Sequence, residues 1–160
     1  MNVIFLDVDG VLNSIKSLKT AYKDDNKRPY SDYYYPFDPK CMLNLKHLVE
    51  ETNSYLVITS TWRQYEIGRE ILLSELKKYG LDTRVIGYTD ILHKAREVEI
   101  KAYLEKLDED VNFIIIDDSK GFPELEEFLI RTNFEKGLTK RGTKKGIKKL
   151  LKTKENVNKC

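Results

Sequence analysis

Short apolar runs alternate along this chain with longer stretches whose apolar positions recur every three or four residues. Val3–Leu6 is one such run. It stops at Asp7, and Asp9-Gly10 follows, which predicts a buried strand and then a loop. Asp38-Pro39 sets an N-cap before a proline at the first helical position. Leu45, Leu48 and Val49 then carry an i, i+3, i+4 stripe to about Thr52. Tyr55–Thr59 is a second β-type run. A helix is expected from about Gln64 to Tyr79, with Ile67, Ile71 and Leu72 inward and Gly80 as its stop. Arg84–Tyr88 predicts a third strand. Ala95–Leu107 predicts a helix that turns Ile100, Tyr103, Leu104 and Leu107 inward. Asn112–Ile116 is the strongest strand signal and runs straight into Asp117-Asp118. Pro123 is expected to open a short helix and Phe128–Thr132 to form a fifth strand. Thr139–Lys152 closes the pattern as a helix with Ile147, Leu150 and Leu151 on one side.

Strand and helix in alternation with short connections predict an α/β fold. The expected form is a three-layer, Rossmann-like parallel sheet of about five strands with helices on both faces. In such sheets ligands bind beyond the carboxyl ends of the strands. The residues just past the first, second and fourth strands are Asp7/Asp9, Ser60/Thr61 and Asp117/Asp118, so these polar groups are expected to share one rim. One long piece breaks the alternation. Residues 13–37 show no regular pattern and carry Tyr22, Tyr30, Tyr33, Tyr34, Tyr35 and Phe37. A loop this long inside a compact domain is usually a functional lid or disordered, and because it leaves from the rim it is expected to hang over the site as a small cap.

Composition narrows the classes. The 160 residues suit a single domain over 1–160. No apolar run approaches the roughly 18 residues of a membrane span. The first apolar stretch ends too early, at Asp7, for a signal peptide. Two cysteines, Cys41 and Cys160, make no disulfide scaffold, so a reduced cytoplasmic location is expected. His47 and His93 are isolated and offer no zinc spacing. The net charge of +2 hides a split. From Lys136 onward there are ten basic residues and one acid, while residues 1–135 hold 18 basic and 25 acidic ones. The basic helix at 139–152 is either a weak nucleic-acid contact or the wet side of an amphipathic helix.

The acidic rim carries the chemistry. Asp7 and Asp9 are one residue apart, and Gly10 frees the chain to turn just after them. Carboxylates this close repel unless a cation or a shared proton intervenes. With Asp117 and Asp118 at the same rim, Asp7 and Asp9 complete an oxygen-rich set that suits Mg²⁺.

These residues resemble a known superfamily. DVDGV at 7–11 is similar to the first motif of the haloacid dehalogenase-like (HAD) hydrolases, and YLVITS at 55–60 to the second. KAREVEI at 94–100 resembles the third, and FIIIDD at 113–118 the fourth. STWR at 60–63, R-x-x-E-I at 96–100 and GLT at 137–139 further resemble a small branch. Its members occur in phage and bacterial proteins and fused to RNA-repair enzymes.

The resemblance implies a phosphomonoesterase. Asp7 would attack phosphorus and form an aspartyl-phosphate. Asp9 would protonate the leaving alkoxide and then deprotonate water. Its presence separates phosphatases from the dehalogenases, which lack this second acid. Mg²⁺ would be held by Asp7, by the Asp9 carbonyl and by Asp117, with Asp118 orienting its water. Arg96 would neutralise charge on the phosphoryl group, with Lys94 as its rival; Ser60 would contact a phosphoryl oxygen, with Thr59 as its rival. Gly10 and Thr61 are candidate substrate contacts. Arg63 is either a phosphate contact or half of a surface ion pair, and Trp62 either lines the entrance or packs on the sheet. The tyrosines of the cap either stack on bases or fold the loop onto the domain. The expected substrate is therefore a nucleotide or a polynucleotide end. A sugar phosphate or similar metabolite is the alternative, and a non-catalytic phosphoacceptor module is a further one. Receiver domains, the familiar case of the last, place their acidic pair after the first strand and lack DxDG.

Overall fold

The structure is a computed structural model that describes residues 1–23, 34–107 and 110–157, with side chains as far as Lys152. Tyr30, Tyr33 and Cys160 lie outside the described residues. The elements are β1 (Asn2–Leu6), α1 (Ile15–Lys23), α2 (Pro39–Thr52), β2 (Tyr55–Ile58), α3 (Glu66–Lys77), β3 (Val85–Tyr88), α4 (Arg96–Leu104), β4 (Asn112–Asp117), β5 (Leu129–Arg131) and α5 (Lys140–Val157). All strand pairs are parallel, in the order β3-β2-β1-β4-β5. The α/β class, the five parallel strands and the Rossmann-like layering agree with the sequence pattern.

Why β1 is apolar at nearly every position follows from its place in the middle. Every residue from Asn2 to Leu6 is buried, because both faces of the strand are covered. Ile4 and Leu6 join Leu45, Leu48, Leu72, Leu76 and Leu150 on the face covered by α2, α3 and α5. Val3 and Phe5 point the other way, to Ile100 of α4 and to Phe122. Phe5 meets the rings of Tyr103 and Phe113 edge-on at 5.9 and 5.6 Å. Each such side chain removed from water contributes about 1.5–3 kcal/mol.

Helix ends follow their caps. Asp38 accepts from the Lys40 N–H, with Pro39 at the first helical position, so α2 begins where the sequence places it. It ends at Asn53, whose φ of +49° does the work a glycine would do. At Gly80, φ is +71° and Leu81 N–H donates back to the Leu76 carbonyl, which closes α3.

Several expectations are corrected. Residues 15–23 are helical, not irregular: Ser14 and Ser17 exchange hydrogen bonds between side chain and backbone N–H, a capping box built of two serines. Thr61–Gln64 is a separate 3-10 turn, so α3 starts at Glu66, and Ile67 is exposed rather than inward. Pro123 opens only a turn, followed by 3-10 geometry at Glu126–Phe128. Leu151 sits at the exposed margin of α5, while Leu150 is buried. Among the described residues no helix is long and apolar enough to cross a membrane.

Candidate active site

The strand order reverses direction at β1. The chain builds β1, β2 and β3 outward, then crosses back to set β4 on the other side of β1. A crevice opens at such a switch point beyond the carboxyl ends. β1 and β4 end there in register, Leu6 beside Ile116, and the Asp7 N–H extends the ladder by donating to the Ile116 carbonyl. Asp7 and Asp117 therefore stand side by side because of the sheet, not because of a loop.

Asp7, Asp117 and Asp118 each bring a carboxylate oxygen within 4.8 Å of the others. Arg96, the first residue of α4, stands between two of them. One guanidinium nitrogen lies 2.9 Å from Asp7 Oδ2 and 2.5 Å from Asp117 Oδ2. Burial pushes the Asp7 carboxyl up to about 6; Arg96 opposes this and Asp117 adds to it. Burial and the neighbouring Asp117 also raise Asp118. Burial works against the charge on Arg96, but Asp7 and Asp117 outweigh it and raise its pKa. Three acids against one arginine leave the cluster short of positive charge. Its all-oxygen donors are what a hard divalent cation such as Mg²⁺ takes, so the residues fit that ion.

Asp9 faces elsewhere. Its Oδ1 accepts from the Asn13 side-chain amide at 2.8 Å and its Oδ2 from the Trp62 indole N–H at 3.0 Å. Its carboxylate is not part of the three-acid group. Asn13 is fixed in turn, because its oxygen accepts from the Gly10 N–H at 2.9 Å. Gly10 has φ +75°, and a Cβ there would lie 2.5 Å from Asp118 Oδ2. Glycine is required here both for the left-handed turn and for the close approach of the second acidic pair.

The hydroxyls after β2 separate. Thr59 is fully buried and its Oγ1 has no hydrogen-bond partner among the described residues. Ser60 is buried and its Oγ accepts weakly from Trp62 N–H at 3.4 Å, a cap for the 3-10 turn. Thr61 is exposed and lines the cavity over the acids. That cavity has a volume of about 480 Å³, and Lys94, His93, Gln64 and Phe134 also line it. Arg96 holds the acids, while Lys94 stays exposed at the margin. A second cavity of about 520 Å³ adjoins the first through Asp9, Thr61 and Gln64 and is walled by Tyr34, Trp62 and Tyr65.

Arg63 is corrected. Its side chain is 4% exposed and spends every donor inside the protein. It pairs with Glu99 at 2.5 Å and donates to the carbonyls of Thr59, Ser60, Thr89 and Asp90. It is not a surface ion pair: it lines the acidic cavity with its donors already engaged and clamps the turn after β2 onto α4. Trp62 satisfies both sequence readings. Its ring packs against Tyr34 and Phe37 at 4.9 and 5.2 Å, and its N–H reaches the site.

Sequence reasoning missed Asn13 and the hydrogen bond from Trp62 to Asp9. The signal for Asn13 was its place at the end of DVDGVLN, where a short amide reaches back over the turn it closes.

Residues 3–142 match the family model described as the HAD domain in Swiss Army Knife RNA repair proteins. A search of the curated proteins finds no match.

Proposed function

The chain belongs to the family of HAD domains found in Swiss Army Knife RNA repair proteins, and from that premise we propose that it is a Mg²⁺-dependent phosphomonoester hydrolase acting on nucleotides or polynucleotide ends. The observation that carries this is the division of labour between two carboxylates one residue apart. Asp7 sits among acids and Arg96, while Asp9 is held away from them by Asn13 and Trp62.

When bound, Mg²⁺ would lie against Asp7, Asp117 and Asp118, with the Asp9 carbonyl as the resemblance implies, and would offset the repulsion between these acids and a phosphate dianion. Asp7 attacks phosphorus in line, forming the aspartyl-phosphate bond as the ester P–O bond breaks. Each Asp9 oxygen already accepts one N–H and keeps a lone pair, so the group can carry the proton that the departing alkoxide takes. Asp9 then removes a proton from water as that water attacks the aspartyl-phosphate, which releases inorganic phosphate and restores Asp7. Arg96 stands where charge develops on the phosphoryl oxygens. Thr61 offers its hydroxyl at the cavity wall, and Ser60 shapes the turn beside it.

The leaving group must lie on the Asp9 side, because Asp9 protonates it. That side opens into the cavity walled by Tyr34 and Tyr65. Aromatic faces there favour a nucleoside over a sugar, which supports the nucleotide reading above the metabolite one.

The test is hydrolysis of p-nitrophenyl phosphate and of 3′- and 5′-phosphorylated oligonucleotides with Mg²⁺ and with EDTA. Turnover should need the metal, and Asp7→Asn should abolish it while leaving the circular dichroism spectrum unchanged. Full activity in Asp7→Asn would remove the nucleophile from the scheme.

A further inference from the structure

The acidic cavity is not the largest in the molecule. A cavity of about 900 Å³ opens between α1, the first turn of α2 and the segment that leads into α5. Six lysines line it: Lys16, Lys19, Lys23, Lys40, Lys136 and Lys140. None of them makes an ion pair among the described residues. Among the described residues that line it, Asp38 and Glu135 are the acids. Asp38 is already engaged, accepting from the Lys40 N–H and the Ser14 hydroxyl. Lys16, Lys19 and Lys23 fall at i, i+3 and i+7, one stripe of a helix that has no acid in it. Like charges so arranged repel, and a polyanion is what would offset that repulsion.

The groove is continuous with the rim. Ser14 lines it and follows Asn13, which holds Asp9. Lys136 lines it two residues after Phe134, which lines the acidic cavity. The Ile15 N–H donates to the Phe134 carbonyl and ties the two segments together. The wet face of α5 is not the main contributor, because α5 supplies only Lys140.

We propose that this lysine groove holds the phosphodiester backbone of a nucleic-acid strand whose terminal phosphate lies at the acidic rim. The placement of the strand's end rests on the phosphatase reading, while the binding of its backbone does not. A mononucleotide would be too short to use the groove, so the groove distinguishes polynucleotide ends from free nucleotides.

The experiment compares binding of a single-stranded RNA dodecamer, without terminal phosphate, to the wild type and to Lys19→Glu/Lys140→Glu over a salt series. The control is Lys148→Glu/Lys152→Glu on the exposed side of α5. The groove variant should bind at least about tenfold more weakly. Its log K against log salt should be shallower by roughly 1.4, because two lysines no longer neutralise phosphates of the single strand. The control should stay within about threefold of wild type. Hydrolysis of p-nitrophenyl phosphate should be unchanged in both. RNA affinity equal to wild type in the groove variant overturns the proposal, and so does equal weakening in the α5 control. Poly-glutamate or anionic vesicles competing as well as RNA would overturn the choice of occupant. Groove-dependent RNA binding in a protein without p-nitrophenyl phosphatase activity would keep the groove and remove the phosphatase reading instead.

Discussion

The Trp62 indole donates to Asp9 while Tyr34 meets its ring edge-on, so a packing residue fixes the angle at which an acid faces the site. Trp62→Phe keeps most of the packing and removes the donor. We expect kcat to fall about tenfold, a part of the 10²–10⁴ that a positioned general acid contributes. The loss should be larger for alkyl phosphates than for p-nitrophenyl phosphate, whose leaving group scarcely needs a proton. Equal losses on both would show that the bond does not serve proton transfer. Thr59 presents the opposite case, a buried hydroxyl with nothing to bond among the described residues. Its desolvation costs about 1–3 kcal/mol, so Thr59→Val, nearly the same shape, should raise the melting temperature. It should leave turnover intact if Thr61 is the hydroxyl that meets the phosphoryl group; lost turnover would give that place to Thr59. The chain's spacing made the carboxylates legible, because DVDG and IIDD each follow an apolar run. It could not separate three successive hydroxyls, because their roles differ only in which way each points after the strand ends.

The first turn of α4 is the element on which the site depends most. Its sequence, REVE, looks like a solvated helix start, yet Glu97 and Glu99 are buried. Arg96 reaches Asp7 and Asp117. Glu97 accepts from the backbone N–H groups of Glu124 and Leu125, both at 2.7 Å. Glu99 pairs with Arg63 and accepts from the Leu92 N–H at 2.9 Å. The helix is thus anchored to β4's loop, to the turn after β2 and to its own leading loop at once. Glu99→Gln should leave the Arg63 charge buried without its partner. Breaking such a pair costs about 3–5 kcal/mol, read as a lower midpoint in urea at unchanged slope. A midpoint within error of wild type would mean that Arg63's carbonyl partners suffice alone. Periodicity could not show these anchors, since it scores charged residues as exposed. It passed over α1 although Ile15, Leu18 and Tyr22 fall at i, i+3 and i+7, because the tyrosine-rich stretch that follows them made 13–37 read as one irregular piece. It also turned Ile67 inward, because Ile67, Ile71 and Leu72 share one helical spacing although Ile67 is exposed.

At the scale of the whole molecule, the sheet order sets the balance between stability and use. Placing β4 beside β1 brings Asp7 and Asp117 together at the switch point, and the loop after β4 adds Asp118. Arg96 is the one basic partner that Asp7 and Asp117 share among the described residues, so the metal-free fold carries repulsion at its centre. An ion that binds the native rim and not the unfolded chain stabilises by RT ln(1 + [L]/Kd), about 2.7 kcal/mol at a hundred times Kd. For a chain of this size each kcal/mol moves the melting temperature by roughly 2–4 °C, so saturating Mg²⁺ should raise it by roughly 5–10 °C. Asp118→Asn removes one charge from the cluster at a half-buried position. It should melt no lower than wild type without metal, because burial and Asp117 already disfavour the ionised form there. With Mg²⁺ its gain should be visibly smaller. The two measurements separate a metal site from a merely crowded acidic rim. A crowded rim would be relieved by the substitution, yet salt of any kind would stabilise it as well as Mg²⁺ does. A wild type that gains no more from Mg²⁺ than from NaCl of equal ionic strength would therefore take the ion out of the scheme, whatever the family implies.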